Sequence, residues 1–272
     1  YYENNYVEEC RTMPVEFDNK LPVVAENIKV RHNKFFNICK CAVHLTAFKN
    51  VEICENEYTN RGLLYENGRF STDAITNYFA WCDTTEELPN SFMGENLTLH
   101  KNKVNAYTAI QFHGLFTDIP DGGSHYKNIS IYHNYFIGNK LVIARFVENL
   151  CVYSNSVYAT GAILELTQCD KVELKNNVGT ALSLFAEATI SRDGNTVVGS
   201  CKRITAVQNN FELSGVVFSL ISFNSTSELI CSVISSLALI VSSSITSISK
   251  CNFALCFSSI KTSKYLLIYE LL

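Results

Sequence analysis

Three carboxylates sit where this sequence could do chemistry. Asp118 and Asp121 belong to the irregular stretch Phe116 to His125, and Glu165 interrupts the apolar run Ala162-Ile163-Leu164-Glu165-Leu166. Cleavage of a glycosidic bond needs two such groups, one protonating the leaving oxygen and the other activating water or attacking directly. A loop holding Asp118 and Asp121 can lean over a groove, and Gly122-Gly123 permits close approach; the same composition also describes a solvated turn. Asp73 and Asp83 are further candidates. Groups suited to holding a substrate are His44, Gln111, His113, Arg145, Tyr132, Tyr153 and Trp81, the only tryptophan.

Those side chains need elements to position them, and a repeat supplies the elements. Seven segments share the form polar-apolar-x-apolar-x-x-Asn, from Asn27-Ile28-Lys29-Val30-Arg31-His32-Asn33 to Arg203-Ile204-Thr205-Ala206-Val207-Gln208-Asn209. The closing Asn falls at 33, 56, 102, 134, 155, 177 and 209, so a unit of about 22 residues recurs with insertions. Alternation of apolar and polar residues has the period of a strand, with Ile28 and Val30 inward and Lys29 and Arg31 outward. A second strand-like run lies between copies, as in Ala42-Val43-His44-Leu45 and Leu141-Val142-Ile143-Ala144. Two strands per repeat that bury their apolar faces only by stacking predict a solenoid. The recurrent Asn suits the turn, through tolerance of left-handed backbone, local hydrogen bonding and laddering between copies. Phe35, Tyr58, Phe136 and Phe211 are expected to turn back into the core.

On this reading the repeat strand projects pairs such as Glu52 with Cys54 and Thr98 with His100. The second strand projects His44, Gln111, His113, Ile143, Arg145, Glu165, Thr167 and Ser183. Tyr132 and Tyr153 take the same slot in successive coils, as a sugar platform or as simple cross-strand stacking. Arg145 and Glu165 either bracket a substrate hydroxyl or form an exposed ion pair. His44 and His113 are either proton donors or solvated edge residues.

The seven aligned copies resemble the right-handed parallel β-helix superfamily that includes pectate lyases, polygalacturonases and several glycosidases, over roughly residues 20 to 215. Within it, residues 96 to 160, and above all Ala109 to Asn155, are most similar to β-helical α-1,3-galactosidases. That stretch carries coil structure, so no catalytic residue is transferred from it. The chain has no Asn-Thr-Asp, Asp-Asp, Gly-His-Gly or Arg-Ile-Lys of the polygalacturonase kind, and no evident calcium cluster of the pectate-lyase kind. The resemblance implies an all-β solenoid that works on carbohydrate, as a glycosidase-like enzyme or as a non-catalytic glycan-binding, adhesin or surface module. It also favours a secreted or cell-surface protein.

Composition narrows the remaining classes. A net charge of −4 and a pI near 5.9 offer no broad basic field for nucleic acid. The expected partner is a glycan or polysaccharide. Eleven cysteines without a CxxC pair read as free and packed, and Cys39 and Cys41 are too close for a zinc knuckle, so neither metal nor cofactor is expected. The sequons at Asn96, Asn128 and Asn224 mean something only in a secretory pathway, and the repeat explains the first two. The chain starts at Tyr1 with no basic and apolar leader, so a signal peptide is either absent or lost with a missing N-terminus.

The predicted solenoid spans 1–224, with insertions at 61–95 and 114–126. The first insertion either hides a degenerate coil or is an excursion carrying Trp81. Residues 225–272 form an atypical tail in which Leu229 to Ser249 carries no charge but many serines. That composition disfavours a membrane helix, leaving amphipathic strands or a non-native tail.

Overall fold

The computed structural model describes residues 1–10, 12–17, 24–60, 64–66, 69–71, 78–83, 94–113, 125–188, 190–192, 195–197 and 201–213. These form a right-handed parallel β-helix with no helix among them. Three long parallel sheets run the length of the stack. Eight strands make the repeat sheet, among them Ala25–Arg31, Phe48–Cys54, Gly94–His100, Tyr126–Tyr132 and Val147–Tyr153. Seven make the second sheet, including Cys41–Leu45, Tyr78–Cys82, Thr108–Phe112, Lys140–Arg145 and Ala162–Thr167.

A third, short sheet was not expected. Its eight strands, such as Lys34–Phe36, Glu57–Thr59, Tyr135–Gly138 and Val178–Ala181, hold three or four residues each, in most coils around a single inward side chain. Each coil therefore carries three strands rather than two. So short a strand displays no alternation for the sequence to betray. Its inward column is the one formed by Phe35, Tyr58, Val104, Phe136 and Val157, all buried.

Register follows the repeat. Ile28 lies beside Val51, Val51 beside Leu97, Leu97 beside Ile129, and Ile129 beside Leu150, so like residues stack in one apolar column. Stacking buries each side chain against its counterparts, contributing about 1.5–3 kcal/mol per large aliphatic group. The 46-residue step resolves accordingly: Phe48–Cys54 pairs directly with Gly94–His100, so it is one coil with an excursion and no hidden coil. Trp81 belongs to the second sheet, while the strands Leu64–Glu66 and Arg69–Ser71 form an antiparallel hairpin of the excursion. The chain divides at Ile221, and the tail, with its charge-free run, lies outside the described residues. Among those that are described, no helix is long and apolar enough to cross a membrane.

Backbone geometry corrects one expectation about the turns. The closing Asn is not the left-handed residue; its predecessor is, with φ of 56° at His32, 56° at Glu55, 54° at Lys101, 54° at His133 and 54° at Ser154. The first residue of the motif is left-handed too, at Asn27, Asn50, Asn96, Asn128 and Asn149, which explains why Asn recurs there. These five form an exposed amide ladder with contacts of 2.8–3.3 Å, accounting for both sequons it contains. Left-handed backbone costs an ordinary L-residue roughly 1–2 kcal/mol, against about 0.5–1 kcal/mol of extra chain entropy for glycine. Ser154→Gly is therefore expected to raise stability by about 0.5–1 kcal/mol in urea unfolding; a lower midpoint would contradict this account of the turn.

The closing Asn residues go inside and form a second ladder. Asn134 Nδ2 donates to the Leu99 and Tyr132 carbonyls and to Asn155 Oδ1, at 2.9–3.0 Å. The backbone N–H of Asn134 also donates to Asn155 Oδ1 at 2.9 Å. The same pattern runs from Asn33 through Asn56, Asn102, Asn134, Asn155 and Asn177 to Asn209. A buried amide is tolerable only when its polar atoms are paired, and here the adjacent coils supply the partners.

Candidate functional site

The outward face of the second sheet gathers most of the candidate side chains. Strand pairing places Glu16, His44, Trp81, Gln111, Ile143 and Glu165 in one column across six coils. Each is the same parity step along its strand, so the alternation that sends Val43, Ala80, Ile110 and Val142 inward sends these outward. Outward does not mean solvated. His44 is 6% exposed and Gln111 7%, which removes the expectation of a freely solvated His44.

Around Trp81 the row is aromatic. Its ring lies 4.9 Å from that of His44 and 6.3 Å from that of Tyr78. His44 Nδ1 is 3.7 Å from a Glu16 carboxylate oxygen. Burial pushes the Tyr78 hydroxyl pKa upward, against the opposing pull of Arg145. Three polar atoms on this face are buried without a hydrogen-bond partner: Trp81 Nε1, Gln111 Oε1 and Arg145 Nε. An unpaired buried group costs about 1–3 kcal/mol, so this face carries unmet demand for hydrogen bonds.

The ionic contacts are not the expected ones. Glu165 pairs with Lys140, not with Arg145, which stands beside Thr167 in register. His113 Nδ1 meets Asp83 at 3.0 Å, both partly buried. Asp83 thus belongs to this face as the partner of His113. Asp118 and Asp121, together with Asp73, lie outside the described residues.

Tyr132 and Tyr153 are elsewhere. They project from the repeat sheet, a different face of the solenoid, and cannot share a binding unit with Trp81. Their rings stack 4.8 Å apart at 8°, the strand spacing itself. The stack continues to His100, 4.8 Å from Tyr132 and within 1° of parallel, and Lys175 caps it 5.6 Å from the Tyr153 ring. Cross-strand stacking accounts for the pair without a ligand.

Beside this stack lies a grouping the sequence reading missed. Glu52, Cys54 and His100 bring their ligand atoms within 4.8 Å of one another. Glu52 and Cys54 are alternate residues of one strand, and His100 is the register partner of Cys54 on the next. Their separation by a large insertion hid the contact, although all three had been read as outward. Lys29, and secondarily His100, hold the Glu52 carboxyl below its usual range. An open pocket of about 490 Å³, lined by Lys29, Asn50, Glu52, Asn96 and Thr98 among others, adjoins it.

The eight described cysteines are all free, and six of them are buried, as packing residues should be. Among known proteins, no family model, no curated protein and no solved structure matches this chain.

Proposed function

We propose that this chain is a carbohydrate-binding parallel β-helix that lays a glycan along the outward face of the second sheet, against Trp81 and its neighbours. The observation that carries the reading is the coincidence on one face of an aromatic group, Trp81 with His44 and Tyr78, and unpaired buried polar atoms at Trp81, Gln111 and Arg145. Sugars present an apolar ring face and a rim of hydroxyls, so one ligand answers both demands once side chains turn to open those atoms to it. Kinship with pectate-lyase-like proteins, and with β-helical α-1,3-galactosidases in particular, is part of this proposal and rests on the repeat motif.

A glycosidase would use Asp118, Asp121 and Glu165 as its carboxylates. On the described part of the face, Asp83 stands three strands from Glu165, about 14 Å at ordinary strand spacing. Catalytic carboxyl pairs stand about 5–9.5 Å apart. Asp118 and Asp121 lie outside the described residues, so the proposal rests on the binding face and the hydrolase is left to the test below.

A glycan array probed with the full chain tests this, followed by a panel of chromogenic glycosides. A bound glycan whose affinity falls more than about tenfold, roughly 1.4 kcal/mol, in Trp81→Ala is the expected result. The reading is abandoned if no glycan binds or if Trp81→Ala binds like the parent. Release of chromophore that Glu165→Gln abolishes would replace it with the hydrolase.

A further inference from the structure

We propose that Glu52, Cys54 and His100 form a three-ligand site for a divalent transition-metal ion of the zinc class, on the outward face of the repeat sheet and independent of the glycan row. The donor set is a carboxylate oxygen, a sulfur and an imidazole nitrogen, the mixture that zinc accepts in sites with a fourth, open position. Hard cations are disfavoured, because calcium and magnesium take oxygen.

Geometry supports the assignment at each ligand. In tetrahedral coordination, with bonds of about 2.0–2.3 Å, neighbouring ligand atoms stand about 3.3–3.8 Å apart. His100 Nε2 and Glu52 Oε1 are already 3.1 Å apart, and all three atoms fit within 4.8 Å, so small side-chain rotations suffice. The backbone holds them in place: Cys54 and His100 are direct register partners, and Glu52 is two residues before Cys54. The His100 ring is clamped parallel to Tyr132 at 4.8 Å, which limits its swing and aims Nε2 at Glu52. Its Nδ1 is buried with no partner. Such a preset ring loses little freedom when it binds a metal.

The charges around the site are mixed. Lys29 bonds the other Glu52 oxygen at 2.9 Å, leaving Oε1 for a cation. Arg31 is paired with Glu3, and Lys101 with Glu55, so neither stands as an uncompensated charge beside the site. Burial pushes the pKa of the Cys54 thiol up, favouring the form that carries its proton. Metal entry would displace that proton to solvent and form the thiolate–metal bond, while the Nε2–H that faces Glu52 gives way to the Nδ1–H tautomer and frees Nε2 for the ion. Of the three ligands, Glu52 also lines the open pocket and so faces solution there.

The test uses the reduced, metal-free full chain titrated with cobalt(II), then displaced with zinc. Expected is one cobalt per chain with a thiolate-to-cobalt charge-transfer band that zinc abolishes. Cys54→Ser should remove the band. His100→Phe, which keeps a ring stacked on Tyr132, should weaken binding more than about tenfold. Cys151→Ser, a control at another outward cysteine, should leave both unchanged. Circular dichroism checks folding, and if Cys54→Ser fails to fold then His100→Phe decides alone. The proposal is overturned if the parent shows no such band, if the band survives in Cys54→Ser, if His100→Phe binds within twofold of the parent, or if Cys151→Ser does equal damage. Neither Trp81→Ala nor the outcome of glycan binding affects these readings.

Discussion

Asn155→Ala is expected to lower the unfolding free energy by about 4 kcal/mol, because it strands several buried polar groups at once. Asn155 Oδ1 accepts both the backbone N–H and the Nδ2 of Asn134, and its own Nδ2 donates to the Ile131 and Tyr153 carbonyls and to Asn177 Oδ1. Truncation leaves the Asn134 N–H and the Ile131 carbonyl without those partners, at about 1–3 kcal/mol each, and opens a small void. Asn209 provides the internal comparison. It closes the described ladder and is only partly buried, its Oδ1 accepting from Asn177 and its Nδ2 donating to the Leu174 carbonyl alone. Water can replace what Asn209→Ala removes, so its cost should stay near 1 kcal/mol. Urea unfolding of the two variants reads the difference directly. Equally small costs would mean that the ladder is incidental to stability and that the apolar columns carry the stack alone.

Gly179→Ala is expected to cost more than about 3 kcal/mol and to compromise folding of the last coils. Gly179 occupies the inward slot of the short sheet between Val157 and Phe211. Its φ of 138° lies in a region that L-residues rarely adopt. A Cβ there would collide with the backbone carbonyl of Val157, which is held in the stack and cannot swing aside. Val178→Ala, next door but 45% exposed, should stay within about 0.5 kcal/mol. Thermal unfolding that moves alike for both would remove the steric explanation.

These two positions differ in how far they could be read beforehand. The ladder Asn stood out as a column in the sequence because it recurs in each of the seven aligned copies. Its burial and its ordinary negative φ did not, since both depend on what the preceding residue does: His32, Glu55 and Ser154 take the left-handed turn, and nothing in their side chains announces it. Gly179 carries no such signal at all. It interrupts a column of large residues, and only its φ of 138° and the approach of the Val157 carbonyl give a reason.

The candidate sites divide in the same way. That His44, Gln111, Ile143 and Glu165 share a face was legible from strand period. That Trp81 joins them was not, because the insertion before it broke the count until strand pairing set Trp81 between His44 and Gln111. The partner of Glu165 was misjudged for a related reason: Lys140 sits at the start of its strand, outside the alternating run that suggested Arg145. Tyr132 and Tyr153 were correctly placed beside each other, yet on another face from the rest.

By itself the sequence determined that this chain is a stacked parallel solenoid, which apolar slots fill its core and which Asn residues line its turns. Those properties repeat every coil, so local periodicity encodes them several times over. Only the tertiary structure decided the third sheet, the burial of the outward row, and the meeting of Glu52, Cys54 and His100. Each depends on which strand lies beside which, and where coils differ in length that register is settled by packing across the stack.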